Sequence, residues 1–266
     1  MEPKVDFHIH TWFSDGQSAP ADIVKQAKAH GYDMIAITDH DGIDGVREAM
    51  AAGAEEGLEV IPGIELATET DDGIGLHILG YYIDIENHHL NQVLEDLRRK
   101  REKRNQRLLN LLSRMGYPLT EEDLTLRPGQ DFIGKPVIAR AMVKKGYIEK
   151  MKDAFAPGRF LETPEAKEIK KEKLKVQDAI ALIREAGGLA VLAHPVQIRE
   201  FGDPKTDAFF EKVDQLVRDL KEEGLGGLEC FHKDHDRMQA LRFTAIAEKH
   251  QLRATRGSDF HGVKYE

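Results

Sequence analysis

Seven of the twelve histidines in this sequence, His8, His10, His40, His77, His194, His232 and His261, fall within or just beyond segments that read as β-strands. Barrel enzymes assemble their active sites at strand ends, so this placement concentrates reactive side chains where a fold would present them. His8 and His10 are two apart in an extended stretch, which points both imidazoles to one face, the geometry for two ligands on one cation. Asp259 and His261 share a face in the same way where the chain is extended. Carboxylates stand beside them: Asp15 on the loop after the first strand, in Ser14-Asp15-Gly16, and Glu65 closing Pro62-Gly-Ile-Glu65.

Imidazole and carboxylate without thiolate suit Zn²⁺, Mn²⁺ or Fe²⁺. His8, His10, His40, His77, His194 and His261 with Asp15, Glu65 and Asp259 make nine candidate ligands. That is too many for one ion that must also hold water, and the right number for two to three divalent ions bridged by a carboxylate such as Glu65. Ions ~3.5–4 Å apart clamp the attacking and leaving oxygens at phosphorus and make hydroxide available near neutral pH. Gathering so many ionisable groups without cations would cost several kcal/mol each. Asp39 and Asp41, flanking His40, are candidates for proton transfer, or for orienting His40 and capping the next turn. His232 is read first as a substrate contact, with metal ligation and a hydrogen-bonded strand end as the alternatives.

Positioning these groups requires a regular frame. Apolar periodicity predicts strands over 5–9, 34–38, 59–64, 76–83, 189–193, 227–231 and 252–256, with helices over 20–29, 45–56, 176–185, 206–222 and 235–249. Strands separated by helices predict an α/β fold, a parallel barrel or a closed relative of one. Residues 86–172 interrupt the rhythm. Apolar residues at 90, 93, 94, 97, 108, 111, 112 and 115 fit one long helix, and short helices are expected over 134–145 and 147–153. The Lys/Glu-rich stretch 165–175 reads as a solvated return linker. The expected organisation is a barrel from 1–85 and 173–266, with 86–172 as a helical insertion that caps the substrate.

Helical spacing places Arg101 and Arg104 on the stripe of Leu94, Leu97, Leu108 and Leu111, away from Arg98, Arg99 and Lys103. Guanidiniums on an apolar stripe need anions. These are insertion carboxylates, or solvent reached by long stems, or a second phosphate of the substrate. In the last case Lys135 and Arg140 approach from the neighbouring helix and His232 from the barrel rim.

Composition narrows the function further. The chain has 266 residues, 41% apolar and 32% charged, which suits a globular protein able to bury a core. Its single cysteine, Cys230, excludes an internal disulfide and any cysteine-rich zinc module. No apolar run approaches the ~20 residues of a membrane span, and residues 1–8 show no signal-peptide pattern, so a cytoplasmic enzyme is expected. The net charge of −9 argues against a broad nucleic-acid-binding surface, though not against a local basic patch.

Asp6-Phe-His-Ile-His10, Ser14-Asp15-Gly16, Thr38-Asp-His-Asp41, Gly63-Ile-Glu65, His77-Ile-Leu-Gly80, Ala193-His-Pro195 and Gly257-Ser-Asp-Phe-His-Gly262, in this order, resemble the motif set of the polymerase and histidinol phosphatase (PHP) superfamily. The resemblance implies a distorted (β/α)₇ barrel with a two- or three-metal centre that hydrolyses phosphoesters. It places His8, His10, Glu65 and Asp259 on one metal, Glu65, His77 and His194 on the second, and Asp15, His40 and His261 on the third. The insertion resembles that of 3′,5′-nucleotide bisphosphate phosphatases and small-RNA 5′→3′ exonucleases, which carry an Arg-Pro-His-Ile-Ala segment. Here Lys135-Pro-Val-Ile-Ala139 keeps a cation but replaces the histidine by Val137, and 155–161 departs from that branch's aromatic, glycine-rich stretch.

The expected function is therefore a metal-dependent phosphoesterase acting on a nucleoside 3′,5′-bisphosphate or short RNA, with hydroxide supplied by the metals. A cyclic sugar phosphate or histidinol phosphate is the alternative substrate. A non-catalytic binding module of this fold should have lost ligands, and all nine are present. Neither a membrane nor an obligate protein partner is expected.

Overall fold

Val5–Ile9 (β1) alternates part-buried and buried side chains, and Met34–Ile37 (β2) is buried over three of its four residues, as strands of a covered sheet should be. In the computed structural model, which describes residues 3–124 and 133–263, β1 and β2 pair in parallel, and β2 pairs in parallel with Glu59–Glu69 (β3). Pro20–Ala29 (α1) and Val46–Glu56 (α2) make the crossovers. Pro20 takes the first turn of α1, where its missing N–H costs nothing. Gly57 ends α2 at φ 67°, a left-handed position that favours glycine. Ile23, Val24, Ile35, Ile37 and Val46 form one core between these helices and strands.

The parallel pairing gives way at the next element, which is where the barrel is distorted. β3 continues past residue 64 to Glu69, and Gly75–Tyr81 (β4) folds straight back on it, antiparallel from Gly63↔Tyr81 to Glu69↔Gly75. Residues 70–74 are too few for a parallel crossover, which takes about a dozen residues or more. After the insertion the chain resumes with the short Leu174–Lys175 (β5), paired to the far end of β3. Val176–Glu185 (α7) leads to Leu189–Leu192 (β6), Asp207–Glu222 (α8) to Gly227–Phe231 (β7), and Arg237–Lys249 (α9) to Arg253–Arg256 (β8). The order is β1-β2-β3-β4-β6-β7-β8, with β4 antiparallel to both neighbours. A bridge between Ile9 and Phe260, where the His10 N–H donates to the Phe260 carbonyl at 2.9 Å, brings the two edges together. The result is a distorted, nearly closed (β/α)₇ barrel.

Between β4 and β5 lie His88–Arg114 (α3), Glu121–Leu124 (α4), Lys135–Lys144 (α5) and Pro164–Glu168 (α6). The Asn87 side chain caps α3 by accepting from the Leu90 N–H. One stripe of α3 serves two cores. Leu90, Leu94 and Leu97 pack into the barrel cluster, whereas Leu108, Leu109, Leu111 and Leu112 pack with Val137, Ile138, Met142 and Leu161. Leu90 and Leu108 are fully buried, each contributing roughly 2 kcal/mol. Truncating Leu108 would open the smaller cluster.

Two expectations for this region need correction. The helix foreseen over 147–153 is only a 3₁₀ turn at Met151–Phe155. The solvated linker foreseen over 165–175 carries α6 and β5, and its Lys171 pairs with Asp41. No helix among the described residues is long and apolar enough to cross a membrane.

Candidate metal centre

His8 and His10 leave β1 on one face, fully buried, with their Nε2 atoms 3.1 Å apart. Glu65 on β3 brings Oε2 to 3.2 Å from His10 Nε2 and Oε1 to 3.4 Å from His8 Nε2. Asp259 Oδ1 lies 3.6 Å and 3.4 Å from the same two nitrogens. A tetrahedral ion with bonds of ~2.0–2.2 Å has ligand atoms about 3.3–3.6 Å apart, and His8, His10 and Glu65 converge close to that spacing, with Asp259 beside the two imidazoles. Asp259 is carried there by the loop after β8, which Asp6 anchors by accepting from the Ser258 N–H at 2.8 Å.

A second group shares Glu65. Its Oε1 lies 3.0 Å from both His77 Nδ1 and His194 Nε2, which are 3.2 Å from each other. The antiparallel β3–β4 pairing, with Ala67 opposite His77, is what brings His77 beside Glu65. The third group is looser. Asp15 Oδ1 is 3.0 Å from His261 Nε2, whereas His10 Nδ1 and His40 Nε2 stand 3.7 and 3.8 Å from the Asp15 carboxylate.

The ionisation states are mutually dependent. Burial pushes the Glu65 carboxyl up, but the His40, His77 and His8 imidazoles outweigh it and hold it well below its usual value. Asp15 and Asp259 are lowered against burial in the same way. Burial favours neutral His40, yet Glu65 and Asp15 raise its pKa to about 9. Carboxylates thus stay ionised by drawing positive charge onto their neighbours, a role divalent cations fill better than protons. Asp15 Oδ1 and Glu65 Oε2 are buried oxygens that accept no hydrogen bond among the described residues. Such oxygens beside imidazole nitrogens fit a cation.

Hydrogen bonds also select which ring nitrogen faces the centre. His8 donates Nδ1–H to Glu229 Oε1 at 3.0 Å, and His261 donates Nδ1–H to the Asp259 carbonyl at 3.0 Å, so both present an Nε2 lone pair. His232 is wired the other way. The Asp234 N–H donates to its Nδ1 at 3.1 Å, which leaves Nε2 to carry the N–H, 3.5 Å from Asp259 Oδ2. His8, His232 and Asp259 do converge closely enough to hold an ion, but the His232 tautomer suits a hydrogen-bond donor.

Glu229 escaped the sequence reading. It is a fully buried carboxylate on β7 whose Oε1 takes the His8 proton and whose Oε2 accepts from the His194 N–H at 2.7 Å. Burial pushes its carboxyl up, and the adjacent His8 reverses the shift. An acid inside the apolar run Gly227-Leu-Glu-Cys-Phe231 was the available signal.

Asp39 and Asp41, which flank His40, are both buried and taken up by hydrogen bonds and ion pairs. Asp39 accepts from the Thr11 N–H and Oγ1–H, both at 2.7 Å, and from Ser14, holding the loop that carries Asp15. Asp41, at φ 47°, accepts from the Ala67 N–H at 3.0 Å and pairs with Lys171 and with Arg101 Nη2 at 3.3 Å. Burial opposes its ionisation, but Lys171 and Arg101 prevail and lower its pKa to about 2.

Arg101 and Arg104 are both buried, as their stripe requires. They line a cavity of about 520 Å³ with Lys135, Lys167, Lys170, Lys171 and Lys173, where Asp15 and Glu69 are the acids among the described residues. Asp41 partly answers Arg101. No carboxylate among the described residues lies within ion-pair distance of Arg104, whose pKa burial and the neighbouring Arg101 lower to about 10. Lys135 Nζ donates to the Leu161 carbonyl at 3.4 Å beside it. Arg140, on the same helix as Lys135, is not among the lining residues.

Residues 6–230 match the PHP domain family. The chain is similar to a 5′-3′ exoribonuclease of Haemophilus influenzae, 31% identical over 98% of this chain and 91% of that one. It is similar to a phosphoribosyl 1,2-cyclic phosphate 1,2-diphosphodiesterase of Eggerthella lenta, 29% identical over 97% and 94%. It is also similar to a 3′,5′-nucleoside bisphosphate phosphatase of Chromobacterium violaceum, 28% identical over 97% and 87%. A solved structure from Bifidobacterium adolescentis, assigned as a metal-dependent phosphoesterase, superposes with a TM-score of 0.81 at 33% identity, covering 98% of this chain and 89% of that one. With its ligand cluster at the barrel rim, this chain belongs to the PHP family of metal-dependent phosphoesterases, hydrolases that act on phosphoester bonds.

Proposed function

We propose that the chain hydrolyses the 3′-O–P bond of a nucleoside 3′,5′-bisphosphate or a short oligonucleotide. The observation that carries this reading is Arg104, a buried guanidinium with no carboxylate partner among the described residues, on a cation-lined cavity that reaches the ligand cluster at Asp15. Such a charge calls for an anion from outside, and a second phosphate supplies it bidentately.

His8, His10, Glu65 and Asp259 would hold one ion, Glu65, His77 and His194 a second, and Asp15, His40 and His261 a third. Zn²⁺, Mn²⁺ and Fe²⁺ all suit these donors. Bound ions polarise the phosphoryl oxygens and make hydroxide available near neutral pH. Arg104 and Lys135 bind the remote phosphate, the segment 86–172 acting as the cap. His232 donates Nε2–H to a phosphoryl oxygen. Glu229 orients His8 and His194, while Asp39 and Asp41 position the Asp15 loop and the cap.

The departure at Val137 weighs little against nucleotides, because Val137 is buried in the insertion's own core whereas Gly134, Lys135 and Pro136 line the cavity. The test is phosphate release, with Mn²⁺ added, from nucleoside 3′,5′-bisphosphates, 3′-monophosphates, cyclic phosphates and sugar phosphates. The bisphosphate should exceed the 3′-monophosphate in kcat/KM by about 10- to 100-fold, the value of one or two charge-assisted contacts. Equal values would remove the second-phosphate reading, and preference for a cyclic sugar phosphate would install the alternative.

A further inference from the structure

Asp259 uses its two carboxylate oxygens differently. Oδ1 meets the His8 and His10 imidazoles at 3.6 and 3.4 Å. Oδ2 meets His232 Nε2 at 3.5 Å and Lys233 Nζ at 3.3 Å. Lys233 also donates to the Asp259 backbone carbonyl at 2.7 Å, the oxygen that accepts from His261 Nδ1–H at 3.0 Å. One ammonium thus touches the carboxylate of one candidate ligand and the carbonyl that orients another.

The backbone between them needs holding. Asp259 sits at φ 51°, in the left-handed region. That conformation is uncommon for residues other than glycine and persists where the surroundings impose it. Lys233 reaches it from the loop after β7, 26 positions away, with its side chain half-exposed.

The charge of Lys233 makes its place informative. A cation beside a ligand carboxylate repels a divalent ion and competes with it for the same oxygens, so electrostatics alone would keep a lysine away. We infer that Lys233 is a positioning residue, which holds Oδ2 and the Asp259 carbonyl so that Oδ1 is presented to His8 and His10 and His261 Nε2 to the Asp15 group. A carboxylate free to turn would offer both oxygens to one ion and fill a place that a catalytic site keeps open for water or substrate. Lys233 would thereby order ligands of two of the three donor groups from outside the ligand set. The inference rests on Asp259 and His261 as ligands and is independent of which phosphoester is hydrolysed.

The experiment measures metal affinity by chelator competition, with kcat and KM on a nitrophenyl phosphodiester, in the wild type, Lys233→Met and Lys233→Arg. Removing a repelling charge would by itself tighten metal binding in Lys233→Met. Positioning gives the opposite sign: affinity should weaken about 10- to 100-fold, and kcat should fall while KM holds. Lys233→Arg keeps a charged donor and should recover most of the loss. Unaltered or tighter metal binding in Lys233→Met overturns the inference, as does a loss that arginine leaves unrepaired. A raised KM with unaltered affinity would make Lys233 a substrate contact instead. The melting temperature of metal-free Lys233→Met should match that of the metal-free wild type, as expected for a half-exposed side chain; a large drop would assign Lys233 to the fold. A wild type that binds no ion would fall instead on the ligand set proposed above.

Discussion

At the barrel rim, carboxylate and imidazole atoms alternate within 2.9–3.8 Å, and each carboxylate there has an imidazole neighbour. Under the insertion, Arg104 is equally buried and faces further cations. The rim is held in shape by its own groups and by Glu229, Asp39 and Asp6 behind them. The cavity keeps a charge that no carboxylate among the described residues pairs. Unpaired buried charge is costly, so it persists where a ligand supplies the opposite charge. The contrast is the basis of the division of labour proposed above, in which the rim does the chemistry and the cavity selects the phosphoester.

Glu65→Gln should have the largest effect, because Glu65 touches His8, His10, His40, His77 and His194. Activity on a bisphosphate and on a nitrophenyl phosphodiester should both fall ~10³-fold or more, with fewer ions per chain by elemental analysis. A loss confined to one substrate would break the proposed division.

Arg104→Met probes the other side. KM for the bisphosphate should rise about 10- to 100-fold, far more than for the nitrophenyl ester. The melting temperature should hold or rise, since an unpaired buried cation is removed. A sharp drop in melting temperature would instead assign Arg104 to the fold. Glu229→Gln sharpens the account of the rim. It should weaken metal affinity by roughly 10- to 100-fold in chelator competition, and it should spare the bisphosphate preference. Unaltered affinity would show that His8 and His194 are oriented without it.

The smallest effect belongs to the joint between the two regions. Asp41 has a folded pKa of about 2, below its unfolded value of about 3.9. Its contribution to stability is therefore present above about pH 4 and is lost as pH falls through about 2. Because Lys171 is partly exposed, roughly 1–2 kcal/mol is expected. Denaturant titrations across that window should slope less steeply for Asp41→Asn than for the wild type. Parallel slopes would place the acid-sensitive contact elsewhere.

Several features were legible in the residues alone because they depend on near neighbours along the chain. Strand alternation puts His8 and His10 on one face, and helical spacing puts Arg101 and Arg104 on the buried stripe of α3; backbone geometry dictates both within a few residues. Motif order likewise announced a PHP barrel and named candidate ligands, which the fold gathers in the groups described above. Distant contacts decided the rest. The β3–β4 hairpin set His77 beside Glu65. Glu229 reaches His8 across 221 positions, and Lys171 reaches Asp41 across 130. A single backbone N–H from Asp234 turned His232 into a donor. Arg101 and Arg104 look alike in the helical pattern, yet only the fold set Asp41 against one and gave the other no carboxylate among the described residues. Periodicity is a property of the backbone and can be read locally, whereas charge pairing falls off over a few ångströms through space, and only the folded chain sets those distances.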